Sequence, residues 1–195
     1  MRIESWIAGI LATLVTCGAG ADEPRRELGV HEHGHSTLNI AIEGTEVAME
    51  LIAPGADIVG FEHEAESAQD KAALEAAEAK LADPLSLFAM PADAECTVQT
   101  ATVAVEGEEL HHEAADHDEG EEHEAEAEHE AEHNEFHGEY QLACAEPDEL
   151  GAIRFDYFEA FPNAMEVEVN LITEKGQSSF EVERDAPTLD LVGLV

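Results

Sequence analysis

Between Glu106 and Glu139 the chain carries seven histidines and sixteen acidic residues, and not one lysine or arginine. Such a stretch has almost no apolar side chain to bury, so nothing offsets the entropy of ordering it, and its carboxylates repel one another. It constrains the fold by subtraction. Any core must come from the sequence on either side, and residues 107–134 are expected to be a disordered His/Glu-rich insertion when no ligand is bound. The chemistry is restricted too. Neutral imidazole and carboxylate are good ligands for Zn2+, and a cation relieves the repulsion, so binding and ordering are coupled. The candidate ligands are His111, His112, His117, His123, His129, His133 and His137, and the last three are spaced four apart, on one face of any helix that forms there. A solvated acidic spacer is the plain alternative, and the histidine density argues against it. The same density argues against calcium, as does the lack of an Asp-rich, glycine-punctuated loop.

A second cluster precedes the first strand. His31, His33 and His35 alternate, so an extended backbone turns all three to one face and Leu38, Ile40 and Ile42 to the other. Three ligands leave a tetrahedral ion one short, and His63 is the candidate to complete it. Residues 31–35 also match H-E-x-x-H, with Glu32 as base. That motif needs a helix, which Gly34 and the strand that follows oppose. No G-x-S-x-G, phosphate loop, dinucleotide fingerprint or C-x-x-C is present, so the sequence points to a protein that is not an enzyme.

Residues 36–53 read as a hairpin turning at Glu43-Gly44-Thr45. Ser67-Ala68-Gln69-Asp70 resembles a capping box opening a helix that runs to Ala82 and aligns Leu74, Ala77 and Leu81. Pro84 to Met90 is a short helix or turn, Cys96 to Val105 a strand, and Tyr140 to Cys144 its partner. Ile153 to Phe155 is a further strand and Tyr157 to Phe161 a turn of helix. Met165 to Leu171 and Phe180 to Glu183 form a second hairpin around Lys175-Gly176. These elements predict an α+β fold, an α/β sandwich with a largely antiparallel sheet, one main helix and the insertion.

The apolar run Trp6 to Val15, followed by Ala19-Gly20-Ala21, reads as a signal peptide over residues 1–21 cleaved after Ala21; a lipoprotein signal at Cys17 is the rival reading. Residues 22–195 are then a single metal-binding domain. With a net charge of -38 and eight basic residues, the chain repels phosphate backbones and anionic membranes, and nucleic acid is an unsuitable partner. In an oxidising compartment Cys96 and Cys144 are expected to form a disulfide that closes the chain around the histidine-rich tract and staples its base; two buried thiols are the alternative.

The residues quoted above resemble the ZrgA-type periplasmic zinc-binding proteins linked to zinc uptake. The resemblance runs from His31-Glu32-His33-Gly34 with Leu38-Asn39, through Ile58-Val59-Gly60-Phe61-Glu62-His63, Asp83-Pro84, Leu87-Phe88 and Cys96, to Glu135-Phe136, Tyr140, Cys144, Phe158, Phe161-Pro162 and Pro187. It implies a soluble periplasmic α/β sandwich that binds zinc and supports its import by passing it to transport machinery. It also implies ligands at the leading histidines and in the insertion. This chain departs in having far more Glu than His in the insertion. The function expected is a periplasmic zinc buffer or chaperone, with a zinc transporter or its binding protein as partner. The alternative is an acidic adaptor of a transporter that binds metal only weakly. Imidazole also suits copper(II), nickel and cobalt, so ligand type alone leaves other divalent metals open.

Overall fold

The computed structural model describes residues 34–106 and 133–195. Alternation builds the first hairpin where it was expected, with β1 (His35–Glu43) and β2 (Glu46–Pro54) joined at Gly44-Thr45. Leu38, Ile40 and Ile42 turn inward with Val47, Met49 and Leu51. His35, Thr37, Asn39 and their counterparts on β2 turn the other way.

A short helix, α1 (Gly55–Ile58), leads into a loop ending at Ser67. The Ser67 hydroxyl accepts from the Asp70 amide, and the Asp70 carboxylate accepts from the Ser67 amide. The two bonds satisfy donors that a helix start otherwise leaves open. Helix α2 (Ala68–Leu81) then buries the expected Leu74, Ala77 and Leu81. After α3 (Pro84–Leu87) come β3 (Phe88–Ala89), β4 (Cys96–Glu106), β5 (Glu135–Cys144) and β6 (Ala152–Phe155). Helix α4 (Tyr157–Ala160), β7 (Glu166–Thr173), β8 (Gly176–Glu183) and β9 (Thr188–Asp190) complete the described chain.

The strands form a six-stranded sheet in the order β4-β5-β2-β1-β7-β8 and a three-stranded sheet in the order β3-β6-β9. Only β1 and β7 run parallel, so the sheet is largely antiparallel as expected. The inner face of the large sheet shares one apolar core with α2, α3, α4 and the small sheet. At its centre Phe88 meets Phe155 edge-on with ring centroids 5.4 Å apart, and Tyr157 packs on Phe161 at 5.1 Å.

Two expectations are corrected here. The partner of β4 begins at Glu135, not at Tyr140. Strand β5 lies between β2 and β4, so both rows of its backbone groups are paired, and Phe136 and Tyr140 are buried. His137 therefore stands in a strand, and the four-residue spacing that grouped it with His129 and His133 on a helix does not hold for it. The second correction concerns the disulfide. Cys96 and Cys144 are bonded, directly opposite each other in β4–β5. They close the end of the ladder away from the insertion, whose base is formed by Glu106 and Glu135 about 33 Å along the strands.

Candidate metal centre

Strand β4 ends at Glu106, and the chain returns to the sheet at Glu135, its partner in register. Because strand side chains alternate, Glu135 and His137 project from the same face of β5 as Glu106 does from β4. His137 Nε2 lies 2.7 Å from Glu135 Oε1 and 3.4 Å from Glu106 Oε2. One ligand atom from each of the three residues falls within 4.8 Å of the others. Despite these short distances Nε2 makes no hydrogen bond among the described residues. One imidazole nitrogen and two carboxylates thus stand side by side, the kind of donor set that ligands of one ion provide. Two carboxylates and a neutral imidazole suit a divalent transition metal and leave a coordination position for a further ligand.

The return of the chain is held by Asn134, which is buried. Its amide donates to Glu62 O at 2.9 Å, its side chain donates to His63 O at 2.6 Å, and its carbonyl accepts from the Gly55 amide at 2.7 Å. Position 55 must be glycine for this approach, since a Cβ there would stand 2.8 Å from the Asn134 carbonyl oxygen and 2.6 Å from that of Phe61. The loop 60–67 and the returning chain are thus locked together, and His133 is placed with Nδ1 3.0 Å from Glu62 Oε2. His63 lies on the same loop, stacked on Phe61 at 4.6 Å, with Nδ1 2.9 Å from Glu64 O.

His35 goes elsewhere. It opens β1 on the outer face, with Nδ1 3.3 Å from Glu166 Oε1 on β7. Among the described residues, the only group of three or more ligand-type side chains gathered closely enough for one ion is Glu106, Glu135 and His137. Two of the four ligands expected for the leading cluster, His31 and His33, lie outside the described residues, so its completion by His63 is not described. His31, His33, His111, His112, His117, His123 and His129 lie outside the described residues, as do the expected signal peptide and Cys17.

Sequence reasoning passed over Glu106, Glu135, Asn134 and Glu62, which look like any other polar residues until the register is known. It also passed over Asp57. That carboxylate is buried on α1 and accepts from the Gly34 amide at 2.6 Å and from Ser36 Oγ at 3.3 Å. Ser36 in turn accepts from Tyr157, whose oxygen is 2.9 Å away. Burial pushes the Tyr157 phenol above its ordinary value, so it remains a donor. Asp57 thereby anchors the start of β1, immediately after the leading histidines.

Fold and site together define a small α+β protein whose chemistry-bearing residues at one sheet rim are of metal-ligand type. The chain belongs to the ZrgA family: the family model described as ZrgA family zinc uptake protein matches residues 30–191. No curated protein matches the chain.

Proposed function

We propose that this protein is a periplasmic, non-catalytic zinc-binding protein that buffers or chaperones the ion in support of uptake. The convergence of Glu106, Glu135 and His137 where the His/Glu-rich insertion leaves and rejoins the sheet carries this reading. The insertion gathers ions through many exchangeable ligands, and the strand-mounted trio offers one ion a more rigid seat. A histidine or carboxylate of the insertion, or water, fills the remaining position. Mounting the ligands on paired strands matters because sites on regular elements keep their geometry better than sites on loops. His133 with Glu62, and His63 on the adjoining loop, provide further donors beside the same junction. Delivery to a zinc transporter or its binding protein completes the role.

Isothermal titration of the mature chain with zinc, before and after deletion of residues 107–132, tests this. The deletion is expected to remove most of the binding capacity and to leave one site. Loss of all binding would remove the strand-mounted site from the proposal.

The acidic-adaptor reading has an observation in its favour. On the outer face of the large sheet Glu43 faces Glu46, Glu50 faces Glu139, and Glu168 faces Glu181 across neighbouring strands. Like charges directly opposite are destabilising, and a basic partner would relieve them. Docking of that kind collapses at high ionic strength, whereas inner-sphere coordination by histidine persists.

A further inference from the structure

We infer that the free edge of β4 is an interaction surface whose partner is a second copy of this chain, the two β4 strands pairing antiparallel and joining two six-stranded sheets into one. This pairing does not depend on the zinc reading above. Strand β4 is an outer strand of the large sheet. One side of it pairs with β5, and on the other side its backbone makes no hydrogen bond among the described residues. An open edge of this kind is a template for another strand, and proteins ordinarily blunt it with charge, proline or a bulge.

In a chain with 46 acidic residues, the ten from Cys96 to Val105 include no charge and no proline. The one blunting feature is the irregularity between Val98 and Thr100, which leaves Thr100 to Glu106 as a regular stretch. The other outer strand, β8, differs in carrying Glu181 and Glu183. Strand β4 also leaves the core open at its rim. Ala101, Val103 and Val105 stand opposite Tyr140, Gly138 and Phe136 on the inner face, and all three are only partly buried, whereas Tyr140 and Phe136 are fully covered. A strand laid beside β4 removes that apolar surface from water.

A second copy is the occupant because the stretch is complementary to itself. Antiparallel pairing centred on Val103 uses all seven residues from Thr100 to Glu106. Val103 then meets its own counterpart, Ala101 meets Val105, Thr102 meets Ala104 and Thr100 meets Glu106. The inner apolar row continues from one copy into the other, and no like charges are opposed. Each copy offers one such edge, so the contact is isologous and closes at a dimer. The net charge of -38 on each copy opposes association. Antiparallel pairing limits that cost by sending the two insertions out at opposite ends of the shared segment. The two Glu106 positions are then about 20 Å apart, well beyond the screening length of about 8 Å at physiological salt. An interface of this length is small, so the dimer is a reversible one.

Sedimentation equilibrium of the mature chain tests this at about 0.15 M and about 1 M sodium chloride, with EDTA present to exclude bridging by metal. A reversible monomer–dimer equilibrium is expected, tighter at high salt as the net charges are screened. In Thr102→Lys/Ala104→Lys the register sets lysine against lysine twice. The dissociation constant at the lower salt is expected to rise about tenfold, although the substitutions reduce the net negative charge. In Thr102→Lys/Ala104→Glu the register sets lysine against glutamate twice, and the constant is expected to fall several-fold. Both substituted residues are exposed, and a tighter dimer in the second variant cannot arise from a damaged fold. A parent that stays monomeric at both salt concentrations overturns the inference; if deletion of residues 107–132 then produces a dimer, the insertion is what occupies the edge. Equal constants in the parent and both variants place any dimer on another surface and overturn it as well. So does a tighter dimer in the first variant, which would mean that bulk charge alone governs association.

Discussion

Glu106 and Glu135 stand directly opposite each other at the last step of the β4–β5 ladder, flanking the two ends of the His/Glu-rich insertion, and His137 Nε2 lies within 3.4 Å of both carboxylates. An ion held there ties the ends of the insertion together. His137→Ala and Glu135→Gln are each expected to lower the affinity of the tightest zinc site by at least about tenfold, or about 1.4 kcal/mol. Calorimetric titration of the mature chain reads this directly, and an unchanged tightest site in both variants would exclude the trio as its seat.

The same pair sets a trade between stability and binding. Opposed like charges destabilise a sheet, so Glu106→Gln is expected to stabilise the metal-free protein by about 0.2–1 kcal/mol. It should also reduce the rise in melting temperature that saturating zinc produces, because binding to the native state alone raises apparent stability by mass action. Thermal melts with and without zinc give both signs in one experiment. A variant less stable without metal and equally stabilised by it would contradict this account.

The Cys96–Cys144 bond is at the other end of the ladder, and a separation of 48 residues makes its loop large. The loop-entropy relation assigns about 4 kcal/mol to closing a loop of that size. Reduction, or replacement of both cysteines by alanine, is expected to lower denaturant stability by about 2–4 kcal/mol while leaving zinc affinity close to that of the parent. An affinity that falls with the bond would show that the staple positions the site.

Gly138 is covered by the Tyr140 hydroxyl, and a Cβ at this position would collide with it. Tyr140 is fully buried, so the ring has no room to retreat. Gly138→Ala is expected to cost about 1–3 kcal/mol by overpacking. A smaller cost of Gly138→Ala in a Tyr140→Leu background, which lacks the hydroxyl and the ring carbons Cζ and Cε2 that crowd the position, would identify the collision as the cause.

The Ser67 hydrogen bonds hold the Asp70 carboxyl below its ordinary value. A group whose folded value is depressed contributes stability above its unfolded value and loses it as pH falls through the folded value. Asp70→Ala is therefore expected to be less stable than the parent at pH 6, with the difference shrinking through the range below about pH 4. A difference independent of pH would mean that the carboxylate is not the stabilising form.

Much of this architecture was legible in the sequence because it follows from short-range rules. Period-2 alternation placed β1, β2, β7 and β8, and the Ser67–Asp70 pattern placed the start of α2. The three buried helix residues followed from 3.6-residue spacing alone. The metal-ligand character was legible too, in the histidines and carboxylates of the insertion. The site was not. Its closest ligands include two glutamates that differ in no local respect from more than a dozen neighbours.

The amino-acid sequence by itself determined which segments can be buried, which faces they present and that imidazole and carboxylate are the available chemistry, because these depend on neighbouring residues and side-chain type. Only the tertiary structure decided which of those groups meet. Pairing β5 with β4 put Glu135 opposite Glu106, Asn134 locked the returning chain to residues 55–63, and the parallel β1–β7 pair put His35 beside Glu166. Register between distant strands is set by the sum of core packing and backbone pairing over the whole sheet. No local pattern around Glu106, Glu135 or His35 contains that sum.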